Sequence, residues 1–201
     1  MIASMLKLSR NDCDALNLKD PYGLHRVVYS LFPKKNGKAP RDFLFADKGG
    51  DFSQRKVLIL SQRKPLDPKY GEISSKQIPE SFLSHSCYGF EITLNPVKRN
   101  GPSGITTPIT GTENLRNWFL NKSVDFGFSV EPTSLQVCRM GVINFEKEKD
   151  GKVFKHTHNT AAFIGKLTVT NRNLFLKSFK EGIGRARGFG FGLLQVVPIR
   201  K

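Results

Sequence analysis

The sequence predicts an α+β protein of two tandem ferredoxin-like (βαββαβ) domains, over residues 1–75 and 85–201. Two patterns lead there. Apolar–polar alternation marks strands in both halves, and segments of period 3.6 with capping residues mark helices between them. Their order in each half reads strand, helix, two strands, helix, strand, with the last elements of the first half weak. A chain of 201 residues is long enough for two small domains with real cores.

Residues 2–9 (IASMLKLS) partly alternate and read as a strand. Asp20 and Pro21 open a helix, since aspartate is a good N-cap and proline suits the first helical position. That helix should run to about Phe32 and stop before Pro33. DFLFA (42–46) and KVLIL (56–60) read as strands. Residues 61–84, rich in Lys, Pro and Ser, read as a linker with a short helix near 77–83.

In the second half, YGFEITLNPVK (88–98) alternates as a half-buried strand does. A Gly/Pro/Thr-rich loop over 100–111 precedes a helix over 112–121. Residues 135–146 and 152–157 form a hairpin turning at Lys149-Asp150-Gly151. A strand over 162–170, a helix over 171–181 and a strand over 189–197 complete the order.

The net charge is +15, and residues after Gly151 carry a single acidic side chain, Glu181. A small protein so charged repels itself, and a polyanion is the simplest partner for it. Hydrophobic content of 38% excludes a disordered tail protein. Cys13, Cys87 and Cys138 are far apart and odd in number, and read as reduced thiols. The start, MIASMLKLSR, lacks the apolar run of a secretory signal, and no segment approaches a membrane span. The expected location is the cytoplasm, with no membrane partner.

On the first helix, Leu24, Val27, Val28 and Leu31 fall on one side and Tyr22, His25, Arg26 and Tyr29 on the other. The second face suits cleavage of RNA by its own 2′-hydroxyl. Histidine can take or give a proton near neutral pH. Tyrosine can hydrogen-bond the attacking or leaving oxygen, and Arg26, Lys34 or Lys35 can offset charge on the phosphorane. The same pattern also fits an ordinary surface histidine beside a tyrosine that covers the helix start.

The run EGIGRARGFGFGLLQVVP (181–198) sets Arg185 and Arg187 among glycines. Gly182 fits a helix stop, and Gly184, Gly188 and Gly190 let backbone approach a phosphodiester closely. Tight packing between elements is served by glycine equally well. Arg187 to Phe191 begins like an RNA-recognition-motif signature, but Gly192 and Leu194 break it, and the segment lies at the wrong end of the fold.

DPYGLHRVVYSLFP, RDFLF followed by VLILS, and GIGRARGFGFGLLQVVP, in that order, resemble the CasE family. These are endoribonucleases of type I-E CRISPR systems that process precursor crRNA and remain in the Cascade complex. The resemblance implies tandem ferredoxin-like domains and recognition of the CRISPR repeat RNA stem-loop. It implies metal-independent cutting at the 3′ base of the stem, leaving a 5′-hydroxyl and a 2′,3′-cyclic phosphate or 3′-phosphate. The partners implied are the repeat stem-loop, the crRNA and other Cascade subunits, and no cofactor is implied. The family's catalytic histidine and tyrosine fall on His25 and Tyr22, and its glycine-rich loop on residues 182–192. Where the family often has a lysine before the loop aromatic, this sequence has Arg187 and then Gly188.

Arg139, Lys147, Lys152 and Lys155 line the hairpin and are candidate RNA contacts, although a charged edge hairpin is also a common defence against aggregation. His156 and His158 alternate on one strand face, but two ligands without a third make a poor metal site. The main alternative function is a non-cleaving RNA-binding subunit of the same fold.

Overall fold

A computed structural model describes residues 1–18, 20–33, 41–51, 53–99, 106–149 and 152–199, with backbone alone for 147–149, 152 and 153. The chain divides into two compact units. One holds residues 1–79, 144–156 and 187–190, and the other 80–143, 157–186 and 191–201. Each is an α+β unit with the ferredoxin-like strand order.

In the first unit, β1 (Ile2–Ser9), β2 (Phe43–Gly50), β3 (Gln54–Ser61) and β4 (Glu72–Gln77) form an antiparallel sheet in the order β2–β3–β1–β4. Two helices lie between β1 and β2: α1 (Arg10–Ala15) and α2 (Pro21–Ser30). Sequence reading missed α1, whose signal is a capping box: Ser9 Oγ accepts from Asp12 N, and Asp12 accepts from Ser9 N. The start of α2 is as expected, with the amide of Gly23 donating to Asp20 Oδ1 at 2.7 Å. Leu24 and Val28 are buried with Leu6, Leu8, Phe43, Phe45, Val57 and Ile59. Full burial of one such side chain is worth roughly 1.5–3 kcal/mol.

The region expected to be a linker holds the edge strand β4, and no helix lies between it and β3. The sequence EISSKQ is exposed except for half-buried Ile73, so no apolar alternation betrayed it. Its attachment is mostly backbone pairing, with Ile73 packed against the core and a Ser4–Ser75 hydroxyl hydrogen bond of 2.8 Å.

In the second unit, β5 (Cys87–Leu94), β8 (Phe128–Val130), β10 (Lys152–Val169) and β11 (Gln195–Pro198) give the order β11–β5–β10–β8. α3 (Thr112–Ser123) joins β5 to β8, and α4 (Arg172–Glu181) joins β10 to β11. A small hairpin, β6 (Val97–Arg99) with β7 (Thr106–Pro108), precedes α3, and β9 (Gln136–Lys149) pairs with β10. Tyr88, Phe90, Ile92 and Leu94 alternate inward from β5, as the sequence pattern required. Phe119 stacks on Phe163 at 4.4 Å in the same core.

Two expectations need correction here. The strands placed over 152–157 and 162–170 belong to one strand, β10, because no glycine or proline lies between them at 158–161. The last strand does not begin at Phe189. Residues 187–189 form a 3₁₀ turn, and Gly190 and Gly192 take φ of 89° and 82°, outside the range of a strand. Phe191, Leu193 and Leu194 are buried, so this apolar run fills core as a loop before β11 begins. Among the described residues, no helix is long and apolar enough to cross a membrane.

Candidate active site

The face of α2 turned from the sheet is half-buried, not open to solvent. Tyr22, His25 and Tyr29 are all partly covered, and Arg26 is exposed. The covering groups come from distant segments of the same unit. His25 Nδ1 lies 2.7 Å from the carbonyl oxygen of Gly188, 163 positions away in sequence. A carbonyl only accepts, so Nδ1 carries the hydrogen and donates it. Nε2 is then the nitrogen whose protonation changes: a lone pair in the neutral ring, an N–H in the cation.

Aromatic rings fix the imidazole plane. Tyr29 lies 3.9 Å from His25 between ring centres, Phe189 5.1 Å and Tyr22 5.5 Å. Tyr22 in turn stacks on Phe145 at 6.2 Å, and Phe145 stacks on His156 at 5.2 Å and lies tilted against Phe189 at 4.6 Å. Tyr29 meets buried Phe43 edge-on at 4.9 Å, which ties the cluster to the sheet. Such pairs add roughly 0.5–1.5 kcal/mol beyond area burial, so the imidazole is held from several sides. The guanidinium of Arg26 sits over the Tyr22 ring, 5.6 Å from its centre.

The glycines of the C-terminal loop have local reasons to be glycine. A Cβ on Gly190 would stand 3.1 Å from the Phe45 ring, at a φ that disfavours any side chain. At Gly188 a Cβ would meet Arg41 Nη1 at 3.2 Å and the Tyr29 hydroxyl at 3.3 Å. Gly182 ends α4 with φ of 81°, its amide donating to the Ser178 carbonyl. Gly184 also has positive φ and lies in the second unit with exposed Arg185.

The structure thus brings Tyr22, His25 and Gly188 together. Arg187 is half-buried in the adjoining 3₁₀ turn. Lys155 is 83% exposed on β10, with its nearest carboxylate oxygen, on Glu146, 3.8 Å away. Arg139, in the second unit, is paired with Glu91, so a phosphate would compete with a carboxylate there. Lys152 opens β10, with only its backbone described, and Lys34 and Lys35 lie outside the described residues. Sequence reasoning left Phe145, Phe189 and Arg41 off the site. Phe189 carried a signal, as the aromatic beside Gly188, and Arg41 carried one in RDFLF. Phe145 carried none, because its place depends on the long hairpin.

Two ferredoxin-like units, a strongly basic chain and a helix-borne tyrosine–histidine pair define a double ferredoxin-like protein with a tyrosine and a histidine side by side on α2. The family described as CRISPR associated protein matches residues 1–198. CRISPR system Cascade subunit CasE of Escherichia coli is 24% identical over 195 residues, covering 90% of this chain and 94% of that one. A solved structure of CRISPR endoribonuclease Cse3 bound to a 19-nucleotide RNA superposes with a TM-score of 0.84 at 20% identity, covering 98% of this chain and all of the other. Cas6e from Escherichia coli superposes with a TM-score of 0.68 at 23% identity, covering 99% and 100%. The chain belongs to the family described as CRISPR associated protein, and it has the fold of Cse3 and Cas6e.

Proposed function

We propose that this protein is an endoribonuclease that binds the CRISPR repeat stem-loop and cuts precursor crRNA at the 3′ base of the stem. The chemistry is transesterification. The 2′-oxygen attacks phosphorus, the bond from phosphorus to the 5′-oxygen breaks, and a 2′,3′-cyclic phosphate and a 5′-hydroxyl result. One proton leaves the 2′-hydroxyl and one reaches the 5′-oxygen. His25 Nε2 handles one of these transfers, and the Tyr22 hydroxyl hydrogen-bonds a reacting oxygen. Protein side chains supply the proton transfers, so the reaction needs no metal. Afterwards the protein stays with the crRNA and the other Cascade subunits in the cytoplasm.

The observation that carries this reading is the hydrogen bond from His25 Nδ1 to Gly188, which fixes both tautomer and ring plane. A histidine serving only to contact RNA needs no such fixing. The relatives support the RNA and the complex: one is named a Cascade subunit, and Cse3 was solved with RNA bound.

The test is a repeat-containing transcript incubated with the protein in EDTA. Wild type cuts it once per repeat. His25→Ala binds the hairpin as wild type does and cuts about 10²–10⁴-fold more slowly. Hairpin binding by wild type with no cutting of any cognate repeat would instead establish a non-cleaving RNA-binding subunit.

A further inference from the structure

We infer that Arg41 is an RNA-contact residue whose guanidinium takes the phosphodiester held at His25. The inference rests on the RNA-binding reading above and adds to it the cation that holds the phosphate.

Arg41 lies two residues before β2, at the head of the RDFLF block. The α-carbon of Gly188 is the point where three groups converge. A Cβ built there would stand 3.2 Å from Arg41 Nη1, 3.3 Å from the Tyr29 hydroxyl and 3.9 Å from His25 Nδ1. All of these residues belong to the first unit. The guanidinium thus shares a neighbour with the imidazole, and a side chain at 188 would press on the guanidinium and the Tyr29 hydroxyl.

Its hydrogen bonding is incomplete. Arg41 Nε is buried without a hydrogen-bond partner among the described residues. The carboxylate next in sequence does not satisfy it: Asp42 Oδ2 accepts from Arg63 Nε at 2.7 Å, and Asp42 Oδ1 is itself buried without a hydrogen-bond partner. An arginine kept purely for structure normally has its fork filled by carboxylate or carbonyl oxygens. One left short of acceptors beside an acid–base group, in a protein of net charge +15, is poised for an oxyanion from outside. A phosphodiester offers two oxygens at the spacing the guanidinium fork matches. Arg26, by contrast, already lies over the Tyr22 ring.

Counterion release gives a readout that a structural role would not move. Binding of the repeat hairpin is measured across a series of salt concentrations for wild type, Arg41→Gln, Arg41→Ala and Arg41→Lys, with folding followed by circular dichroism. The neutral variants should lower the slope of log affinity against log salt by about one. Arg41→Lys should restore it, since the slope counts charge and not shape. A folded neutral variant with the wild-type slope overturns the inference. Loss of folding in both neutral variants does so equally, by giving Arg41 a structural place. The slope is read from binding, so it decides the matter even if the wild type holds RNA without cutting it. A wild type that does not hold the hairpin at all overturns both readings.

Discussion

In each unit a long helix lies between the first strand and the second: α2, after the short α1, in one, and α3 in the other. Both bury two large apolar side chains, Leu24 and Val28 in α2, Leu115 and Phe119 in α3. Their remaining faces differ. α2 offers Tyr22, His25, Arg26 and Tyr29 to a cluster of rings and a backbone carbonyl. α3 spends its polar groups on the protein itself. Arg116 donates to the carbonyls of Leu135, at 2.5 Å, and Pro132, and Asn114 donates to the Thr110 carbonyl at 3.0 Å. It holds no side chain that titrates near neutral pH. The shared position in the fold therefore assigns neither helix a chemistry. The residues on the outer face do that.

Crossed substitutions sharpen this contrast most. His25→Ala should carry the largest effect, a loss of about 10²–10⁴-fold in single-turnover rate per folded molecule, with a loss of stability as well because the ring packs on three others and donates to Gly188. Arg116→Ala should leave that rate alone. It strips two charge-assisted hydrogen bonds and should lower stability by about 1–3 kcal/mol, seen in urea unfolding, while cleavage per folded molecule stays at the wild-type rate. If Arg116→Ala slowed cleavage as much as His25→Ala does, the division of labour between the helices would be wrong.

How legible these features were depended on how local their causes are. The start of α2 could be read because Asp20 and Pro21 act on the residues that follow them, and β5 because its burial alternates along its own length. β4 could not, because an edge strand is held by backbone pairing and needs no apolar stripe. The glycine-rich run misled in a different way. Its buried Phe191, Leu193 and Leu194 look like strand residues, but Gly190 and Gly192 bend the chain away from β geometry until Gln195. At the site, Tyr22 and His25 were visible as one face of a helix. The carbonyl that fixes the imidazole was not, since the two are brought together only by the folded unit.

The helix starts offer a second, smaller contrast. Asp20 caps α2 with its side chain, whereas the N-cap of α3 is Gly111, at φ of 84° and with no side-chain bond. Asp20→Ala should therefore cost about 1 kcal/mol, and Asp20→Asn much less, since asparagine caps as well. The loss should show in hydrogen exchange, with amides of the first turn of α2 opening sooner while those of α3 keep their rates. Equal acceleration in both helices would mean that the cap holds the whole chain and not the start of α2.

The smallest expected effect separates the units by how they pass from second strand to third. In the first unit β2 and β3 are joined by a short reversal, whereas in the second β9 comes between β8 and β10. Asp51 organises that reversal. Its carboxylate accepts from the hydroxyl and amide of Ser53, at 2.6 and 2.8 Å, and from the amide of Gln54 at 3.0 Å. These bonds, the Ser53 hydroxyl foremost, pull its pKa down to about 2. An unfolded aspartate titrates near 3.9, so the folded state holds the charged form more strongly. The stability this confers is fully present above about pH 4 and is lost as the pH falls toward the folded value. Ser53→Ala removes the strongest of the three bonds, so the Asp51 midpoint should rise toward the ordinary carboxylate range in a carbon-13 NMR titration. The acid-unfolding midpoint of the first unit should rise only slightly with it, because the group is exposed. An Asp51 midpoint unchanged in Ser53→Ala would show that the backbone amides alone hold the charge.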